Sequence, residues 1–567
     1  MSIGRPVGEK RTSIAIPIIT FAILALISIA TAAFAWLALG PYIPSNDAAP
    51  IPPADRPSFV VGGSLHEMPA AMVDNEMLLP VAAVHDLIDP SVVWDEASQS
   101  IIVTTGIEVM RMRTGELDAF VNGKPARLAI APALLDGKPY APAAPLSRLL
   151  GFTVTHNKET NTVTADPAGA ALQTGRVVSP AALRTAASVK SAVIERLAPD
   201  DELYIFGEVN RWYLARRGAG RPGYVPKNSV ELKGIVYRAP PVPEFYRAWK
   251  RTGEPINLTW EHVLKRNPPP SSIGPLPGIN VVAPTWLRVS SPSGEVTCRA
   301  SATYVEWAHA RGCEVWALLD NDFDPEMTGA FLKDASAREN AIRSLLMYAR
   351  AFDFDGINLD FENMNMEDGP LYVQFVRELV PMAHEEGLTV SVDVTVKSTS
   401  RNWSLCYDRK GLGRAADYLI LMAYDEYSGG GRVPGPVASL PWVENGVRTL
   451  LEDVPAPKVI LGIPLYTRLW RQAANGAGTT SRALCMDDAL AILDRNDIKP
   501  VWDDGLKLHF ARFDRNGDEY WIWFENADSL KRRVSIAKRY GLRGVATWRR
   551  GFENAGVWST LAGALQD

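Results

Sequence analysis

Cysteine and histidine are scarce in this chain, with four cysteines and seven histidines in 567 residues. The four cysteines (Cys298, Cys313, Cys406 and Cys485) match no metal-binding spacing, and only Cys298 and Cys313 are close enough in sequence to suggest a disulfide. Buried core thiols are the other interpretation. The histidines His262, His309 and His384 also lack metal-ligand spacing and are interpreted as helix or loop residues. The sequence therefore predicts neither a metal site nor a cofactor.

The chain also lacks an excess of positive charge, because its formal net charge is −5. Nucleic-acid binding usually leaves a basic patch or stripe, so no nucleic-acid partner is predicted. No P-loop or dinucleotide fingerprint is present. The length exceeds what one hydrophobic core normally contains, so several domains are expected.

The segment 355–362, Asp-Gly-Ile-Asn-Leu-Asp-Phe-Glu, carries the most informative pattern. In a β-strand, successive side chains point to opposite faces, so Asn358, Asp360 and Glu362 would share one face. An apolar face packed on helices, with polar groups at the carboxyl end of the strand, is how a parallel α/β barrel presents catalytic residues. Burial and mutual repulsion would raise the pKa of one carboxyl, as glycoside cleavage requires. The alternative is an ordinary strand edge with solvated acids.

The C-terminal half alternates apolar runs with helical stretches, which indicates a parallel sheet with crossover helices. The predicted strands are eight: 256–260, 279–284, 314–319, 356–361, 389–394, 418–423, 459–464 and 544–548. From Pro255 to the end the chain has about 310 residues, within the usual range for a (β/α)8 barrel with an insertion. The insertion is predicted between Trp470 and Glu525, with extra strands at 507–513 and 520–524.

The fourth-strand segment resembles the signature of glycoside hydrolase family 18, Asp-Gly-x-Asp-x-Asp-x-Glu. Further matching features are Met-Ala-Tyr-Asp at 422–425, Tyr-Thr-Arg-Leu-Trp at 466–470 and Trp548. The sequence is most similar to the branch that includes spore-cortex-lytic N-acetylglucosaminidases, which shares Asn358, Tyr-Asp-Glu at 424–426 and a run like 435–442. The departure from the chitinase form is Asn358 in place of the middle Asp.

The resemblance implies catalytic roles for Glu362, Asp360 and Tyr424. Glu362 would protonate the leaving-group oxygen and later activate water. Asp360 would orient the 2-acetamido group of the substrate, which attacks the anomeric carbon in place of an enzyme nucleophile. Tyr424 would donate a hydrogen bond to the oxygen of the cyclised acetamido group.

The resemblance also implies substrate contacts. Trp548 would form an apolar floor under the sugar ring, Asp425 would line the same subsite, and Asn358 would contribute hydrogen bonds without a charge. The remaining predicted substrate-binding residues are Tyr466, Arg468 and Trp286. Each of these residue types also has an ordinary structural role, and a strand-eight Trp often belongs to a core.

The N-terminus predicts a membrane or export segment. Residues 1–12 contain Arg5, Lys10 and Arg11, and they precede an apolar stretch, 13–39, that is long enough to span a bilayer. Positively charged residues that flank a membrane segment stay on its cytoplasmic side, so the rest of the chain would lie outside the cytoplasm. A cleavable signal peptide is the competing interpretation, because 33–35 reads Ala-Phe-Ala. An uncleaved segment would give a membrane protein whose Pro- and Ala-rich stretch at 40–57 serves as a tether. A cleaved segment would give a protein secreted to the cell wall.

Two further modules are predicted before the barrel at 254–567. Within 58–170, the segments 79–82, 92–95 and 101–103 recur as 141–144, 152–155 and 162–164, each copy with a helix, strand, turn and strand. This domain is similar to the one named after the copper amine oxidase N-terminus, although no His or Cys cluster could hold copper. Residues 176–233 resemble a bacterial SH3-like barrel whose aromatics either bind peptidoglycan peptides or form a core. Residues 234–253 read as a linker.

The sequence as a whole predicts an α/β fold: a (β/α)8 TIM barrel with a small insertion after strand seven, an α+β repeat domain, an SH3-like β-barrel and a transmembrane helix. The expected function is hydrolysis of a β-linked N-acetylglucosamine glycan, with peptidoglycan or spore cortex as the partner polymer. Chitin oligosaccharides are an alternative substrate. A catalytically silent carbohydrate-binding barrel and a structural envelope protein are alternatives from other classes, and retention of Glu362, Asp360 and Tyr424 argues against both.

Overall fold

The structure is a computed structural model that describes residues 15–39, 43–237, 253–474 and 478–566. It divides into two compact units. One contains the described residues of Met1–Ile88 and Tyr140–Pro243, and the other those of Asp89–Pro139 and Glu244–Asp567.

The N-terminal helix α1 covers Ala15–Leu39, which overlaps the predicted membrane segment at 13–39. Within the described part of the chain, no helix combines the length and the apolar character that a bilayer span needs. The predicted transmembrane helix therefore gains no support from the structure. Residues 1–14 and 40–42 lie outside the described residues. They comprise the predicted N-terminus, the first two residues of the predicted membrane segment and the start of the predicted tether.

Short strands and two short helices make up the chain between α1 and the predicted linker. They are β1 (Ser58–Val61), β2 (Ser64–Leu65), β3 (Ala71–Val73), β4 (Glu76–Pro80), α2 (Val81–Leu87), β5 (Val92–Asp95), β6 (Ser100–Thr104), β7 (Val109–Arg113), β8 (Asp118–Val121), β9 (Lys124–Arg127), β10 (Ala133–Leu135), β11 (Lys138–Pro142), α3 (Ala143–Leu150), β12 (Phe152–Asn157), β13 (Thr162–Pro167), β14 (Ala171–Val177), β15 (Ala181–Arg184), β16 (Val193–Leu197), β17 (Glu202–Val209), β18 (Trp212–Arg216), β19 (Gly223–Pro226) and β20 (Val230–Tyr237).

Both predicted repeat copies contain a helix, a strand, a turn and a strand. The first copy is α2, β5 and β6, and the second is α3, β12 and β13. In the second copy, β12 pairs antiparallel with β13, and β13 pairs parallel with β1. The strands β14 to β20 form a separate seven-stranded sheet in the order β16-β15-β19-β18-β17-β14-β20. Its resemblance to an SH3-like barrel stays a prediction.

The second unit contains the predicted barrel. Its elements from residue 253 onward are β21 (Ile256–Glu261), β22 (Val281–Pro284), β23 (Leu287–Val289), β24 (Val296–Cys298), α4 (Ala302–His309), β25 (Glu314–Asp320), α5 (Pro325–Lys333), α6 (Ala335–Phe352), β26 (Gly356–Asp360), α7 (Gly369–Glu385), β27 (Thr389–Thr395), α8 (Arg409–Ala415), β28 (Tyr418–Met422), α9 (Leu440–Leu450), β29 (Val459–Pro464), β30 (Tyr466–Gln472), β31 (Thr479–Cys485), α10 (Met486–Arg495), β32 (Val501–Asp503), β33 (Leu508–Arg515), β34 (Asp518–Phe524), α11 (Ala527–Arg539), β35 (Gly544–Trp548) and α12 (Val557–Gln566).

Eight parallel strands close the barrel, in the order β21, β22, β25, β26, β27, β28, β29 and β35. Closure comes from β21, which pairs in parallel with both β22 and β35. All eight predicted strands are confirmed, and the fourth is β26. Its odd-numbered Ile357 and Leu359 lie in the core between strands and helices, so Asn358 and Asp360 point to the barrel interior.

Two histidines fix the ends of helices to the starts of strands. His309, at the end of α4, lies 2.8 Å from Asp355, which also accepts a hydrogen bond from the N–H of Val315. His384, at the end of α7, contacts Asp417 at 2.9 Å, and Asp417 in turn accepts from a strand N–H. Both pairs lie at the amino ends of strands, which in TIM barrels is the face associated with stability.

The insertion after strand seven is a five-stranded antiparallel sheet in the order β31-β30-β34-β33-β32. The predicted extra strands at 507–513 and 520–524 correspond to β33 and β34. The sheet begins at Tyr466, four residues before the predicted start, because β30 itself belongs to it and pairs with both β31 and β34. Helix α10 packs on one face of this sheet.

A second five-stranded sheet, the meander β5 to β9, belongs to the same unit as the barrel. Ile102 and Val109 of the meander form a buried cluster with Ala335 of α6. Arg111 of β7 donates to the buried carboxylate of Glu378 on α7 at 2.5 Å, and Glu378 also accepts from Arg338 at 2.9 Å. The meander is therefore fixed to barrel helices by both apolar and ionic contacts.

All four cysteines are free thiols, and Cys313 and Cys406 are buried. The suggested disulfide between Cys298 and Cys313 is absent. This outcome agrees with the core-thiol interpretation for the two buried residues.

Candidate active site

Glu362 lies directly after β26, and its backbone is fixed on both sides. Its N–H donates to Oδ1 of Asn321 at 3.0 Å, and Nδ2 of Asn321 donates to the Glu362 carbonyl at 2.8 Å. The hydroxyl of Tyr407 donates to the carbonyl of Phe361 at 2.8 Å. Burial, followed by the nearby charges of Asp360 and Asp425, raises the pKa of Glu362 well above its ordinary value. This shift favours the protonated form of Glu362, which is the form that a general acid requires.

Asp360, the last residue of β26, has a carboxyl oxygen, Oδ1, that is buried and has no hydrogen-bond partner among the described residues. Burial and then the charge of Asp320 raise the pKa of Asp360 to about 7. Asp320, at the end of β25, is itself held by Arg288, whose Nε donates to it at 2.7 Å. A buried acceptor without a donor is costly, so this oxygen is available for a substrate N–H.

Asn358 lies fully buried inside the barrel and forms three side-chain hydrogen bonds. Its Oδ1 accepts from the indole N–H of Trp260 at 2.9 Å. Its Nδ2 donates to Oγ of Ser391 at 3.0 Å and to Oδ1 of Asp393 at 2.8 Å. Because an indole only donates, the amide orientation is determined. Burial, then the charge of Asp360, raises the pKa of Asp393, while the bond from Asn358 opposes that rise.

Tyr424 follows β28 and packs on the inner cluster of the barrel. Burial and then the charges of Asp393 and Asp360 raise the pKa of its phenol well above the usual value, so it remains a hydrogen-bond donor. Its ring lies edge-on to Tyr466 with centroids 6.3 Å apart. Asp425 accepts from the hydroxyl of Tyr466 at 2.8 Å and from Nη2 of Arg468 at 3.1 Å.

Trp548 ends β35 and also packs on the inner cluster. Its ring is edge-on to Trp260 at 5.8 Å and tilted against His262 at 5.9 Å. The Trp548–Arg549 peptide bond is cis. The half-buried indole therefore lies at the carboxyl end of the barrel, on the same side as Asn358 and Tyr424.

Trp286 lies apart from this group. It is 1% exposed, and its ring packs on Tyr304 and Phe354 in the layer between strands and helices. Its indole N–H donates to Asn267. The predicted substrate contact of Trp286 is therefore not supported. Trp286 follows the end of β22, and its side chain points away from the barrel interior, into the hydrophobic layer between the strands and the helices.

Three functional candidates were not singled out from the sequence: Asn321, Ser391 and Asp393. Ser391 and Asp393 alternate with valines in β27, and this polar alternation inside a buried parallel strand is a signal that could have found them. Asn321 carries no such signal, because its role depends on a contact between two loops. No cluster of three or more His, Cys, Asp or Glu side chains with metal-binding geometry occurs in the described ranges.

Exposed aromatics flank the loop of Glu362. Phe323 and Trp403 have ring centroids 6.1 Å apart, and both are more than two-fifths exposed. Phe323 adopts a left-handed backbone conformation with φ of 57°, and Asn363 donates to its carbonyl at 2.8 Å. A bulky residue in this conformation is strained, and such strain concentrates at functional sites.

The arrangement unites a carboxyl with a raised pKa, a second carboxyl with a free acceptor oxygen, a phenol and an indole surface. These are the groups that general-acid cleavage of a glycosidic bond uses when a sugar lies on an aromatic floor. Comparison with known proteins bears on the same region. The family described as "Glycosyl hydrolases family 18" matches residues 327–553, and the "Copper amine oxidase N-terminal domain" matches residues 60–165.

Curated relatives of the chain include two proteins of Bacillus subtilis (strain 168). "Uncharacterized glycosylase YvbX" of Bacillus subtilis (strain 168) is 26% identical over 279 residues, which is 47% of this chain and 80% of the relative. "Cortical fragment-lytic enzyme" of the same organism is 29% identical over 250 residues, 43% of this chain and 58% of that enzyme. This match thus spans less than two thirds of the cortical enzyme.

Among solved structures, the spore cortex-lytic enzyme SleL of Bacillus megaterium QM B1551 superposes with a TM-score of 0.50. The identity is 20%, and the match covers 59% of this chain and 78% of that chain. At this identity the likeness shows a shared fold.

Proposed function

We propose that this chain, a glycosylase whose barrel is a glycosyl hydrolase family 18 domain homologous to cortex-lytic enzymes and chitinases, hydrolyses β-linked N-acetylglucosamine glycans with peptidoglycan as its polymer. The observation that carries the proposal is the placement of Glu362. Its carboxyl has a strongly raised pKa, next to Asp360 with its unpartnered buried oxygen.

The reaction proceeds in two steps with the acetamido group of the substrate as nucleophile. The acetamido oxygen attacks the anomeric carbon, the glycosidic bond breaks, and the leaving-group oxygen takes the proton of Glu362. Asp360 accepts a hydrogen bond from the acetamido N–H through its free oxygen and stabilises the positive charge of the cyclised intermediate. Water then attacks the anomeric carbon, the bond from that carbon to the acetamido oxygen breaks, and Glu362 takes a proton from the water. Two inversions at the anomeric carbon retain its configuration.

The remaining groups orient the sugar. Tyr424 donates to the acetamido oxygen, and the indole of Trp548 lies under the ring. Tyr466 and Arg468 hold Asp425 so that it faces the same subsite. Asn358 keeps the carboxyl of Asp393 in place through its amide rather than through a charge.

Two observations support peptidoglycan over chitin. Asn358 replaces the middle Asp of the chitinase form, and a matched relative is named for cleaving cortical fragments. Incubating the full chain with purified peptidoglycan and with chitin oligosaccharides, followed by mass spectrometry of the released ends, tests the choice. Products with N-acetylglucosamine at the new reducing end from peptidoglycan support the proposal. Cleavage of chitin oligosaccharides alone would identify a chitooligosaccharide hydrolase instead.

The substrate-assisted mechanism has its own test. A substrate without the N-acetyl group at the cleavage subsite is expected to bind without turnover, and a thiazoline mimic of the cyclised intermediate is expected to inhibit strongly. Efficient hydrolysis of the deacetylated substrate, or a trapped covalent glycosyl-enzyme, would contradict the mechanism.

The chain acts outside the cytoplasm in this proposal. The support is the order of a basic N-terminus and an apolar stretch at 13–39 before the first folded unit. Fractionation of cells that make the protein, combined with N-terminal sequencing, tests it. Full-length protein in the membrane fraction indicates an anchor, a mature protein starting near Trp36 indicates a cleaved signal, and cytoplasmic recovery would contradict the proposal.

A further inference from the structure

Arg549 differs from the other arginines at the mouth of the barrel because it has no carboxylate partner in the described structure. Arg550 pairs with Glu261, Arg288 pairs with Asp320, and Arg468 pairs with Asp425. Its Nη1 donates to the carbonyl of Arg550 at 3.3 Å. Its guanidinium lies over the ring of Phe552, 3.8 Å from the centroid.

The neighbours of this guanidinium contact residues on two sides of the candidate site. Arg549 directly follows Trp548, whose ring packs on His262. On the other side Phe552 lies 6.1 Å from Tyr466, which bonds Asp425. Arg549 therefore lies between the predicted sugar floor and the residues that follow strands six and seven.

Burial lowers the pKa of Arg549, the charges of Glu261 and Glu553 oppose this shift, and neither carboxylate forms an ion pair with Arg549 in the described structure. Glu261 is bound through both oxygens by Arg550, and Glu553 accepts the N–H of Gly551. Burial lowers the pKa of His262, and the charge of Arg549 lowers it further, so this imidazole adds no second cation near neutral pH. A half-buried guanidinium that no carboxylate contacts directly is costly, and an anion from the substrate would relieve that cost.

We propose that Arg549 recognises a carboxylate on the glycan, on a sugar adjacent to the one over Trp548. The inference rests on the proposed function and specifies its substrate class as an acidic N-acetylated glycan. In peptidoglycan every second sugar carries a lactyl ether, whose carboxyl is free where no peptide is attached. The rigid fork of a guanidinium fits a carboxylate through two parallel hydrogen bonds.

The role of Arg549 also answers an electrostatic problem. Asp360, whose pKa is about 7, lies at this end of the barrel, and in its ionised form it would repel an acidic polymer. A cation stacked on Phe552 keeps its donors at the edge of the ring plane, where a ligand can reach them. Neutral chitin oligosaccharides have no group that would use this cation.

The test compares wild type, Arg549→Gln and Arg549→Lys on three substrates. They are peptide-free peptidoglycan glycan strands, the same strands with carboxyls converted to neutral methylamides, and chitin oligosaccharides. Arg549→Gln is expected to raise KM at least tenfold on the first substrate with little change in kcat, the effect of losing one charge-assisted hydrogen bond. It should leave the other two unchanged. Arg549→Lys should recover part of the loss, because it retains the charge without the fork.

Arg343→Gln on the outer face of α6 is the control, since Arg343 is two-thirds exposed. Equal effects of Arg549→Gln on all three substrates, or none, would overturn the inference while leaving the proposed function intact. Failure of wild type to cleave any substrate would refute the proposed function. In that case, calorimetric binding of the same strands and methylamides to wild type and Arg549→Gln still decides the inference, because only a carboxylate contact predicts a difference between the two strands.

Discussion

At the scale of single residues, Asn358 separates charges that would otherwise accumulate. Asp360, Glu362 and Asp393 are three carboxyls with raised pKa values in one buried group. An acid in place of Asn358 would add a fourth. The amide supplies hydrogen bonds to Asp393 and Ser391 without that electrostatic cost.

Glu362→Gln should reduce kcat by about 10²- to 10⁴-fold, because it retains the shape of the side chain and removes the transferable proton. Sugar binding should change little. Steady-state rates and calorimetric binding of an oligosaccharide check both parts. Glu367→Gln is a matched control, since Glu367 lies five residues further along and is exposed. Activity near wild type in Glu362→Gln would refute the assignment.

Asp360→Asn should make protein stability less dependent on pH. The pKa of Asp360 is about 7 in the folded chain and near 4 when unfolded, so the native state binds more protons between these values. Stability from this group is present below about pH 4 and is lost as the pH rises through about 7. The variant should therefore exceed wild type in unfolding free energy by up to a few kcal/mol at pH 8, with little difference at pH 4.

Urea denaturation of wild type and Asp360→Asn at both pH values measures this difference. Asp487→Asn, a change at an exposed acid on α10, serves as the control. A stability difference that is the same at pH 4 and pH 8 would contradict the prediction.

Asn358→Asp should reduce kcat/KM less than Asp360→Ala, because a carboxyl can still accept from the indole N–H of Trp260. The new group would face Oδ1 of Asp393, where Nδ2 now donates, so one of the two carboxyls must retain a proton. The limbs of the pH profile should therefore move. A kcat/KM profile that superposes on wild type across the pH range would speak against this electrostatic role.

At the scale of elements, the loop after β25 positions the loop after β26. The side chain of Asn321 bonds both the N–H and the carbonyl of Glu362, and it donates to Thr328 at 2.9 Å. Three contacts from one buried amide therefore link the third strand, the catalytic loop and α5. Glu362 is held through its main chain, which leaves its carboxyl free for chemistry.

Asn321→Ala should lower kcat by about 10- to 100-fold with a smaller change in KM, because a misplacement of about 1 Å at a reacting group has an effect of this size. It should also reduce the unfolding free energy by about 1–3 kcal/mol, since two buried backbone groups lose their partner. Kinetics and thermal denaturation measure the two effects. Asn340→Ala, a change at an exposed residue of α6, provides the comparison. A rise in KM at constant kcat would instead indicate that Asn321 binds substrate.

The predictability of the site follows from the elements that carry it. Asn358, Asp360 and Glu362 could be placed together because strand alternation is a local property. Asn321 and Tyr407 could not, because their contacts with the catalytic loop depend on how loops from different strands meet. Trp286 was misplaced for a related reason: it follows the end of β22, where alternation no longer determines the direction of a side chain.

At the scale of the whole molecule, the eight barrel strands were predictable because apolar runs alternate with helices along the sequence. The membership of the meander was not. Its strands lie within the predicted repeat domain at 58–170, yet β5 to β9 pack in the unit of the barrel. Arg111 and Glu378 form an ion pair although more than 200 positions separate them in the sequence. No local sequence pattern predicts such a contact.

Glu378→Gln should lower the unfolding free energy of the barrel unit by about 3–5 kcal/mol, because it leaves Arg111 and Arg338 buried without their shared counter-charge. Chemical denaturation checks the loss. Glu385→Gln, which removes the exposed pair with Lys124, should cost less than about 1 kcal/mol. Similar losses in the two variants would mean that the buried cluster does not fix the meander.

The position of the meander has a consequence for how such proteins can be recombined during evolution. An exchange of gene segments at the predicted linker, 234–253, would transfer the barrel without Ile102, Val109 and Arg111. The recipient would inherit Glu378 and the surface of α6 and α7 without the sheet that covers them. Viable chimeras should therefore carry the meander together with the barrel, and related proteins with this meander should inherit it and the barrel as one unit.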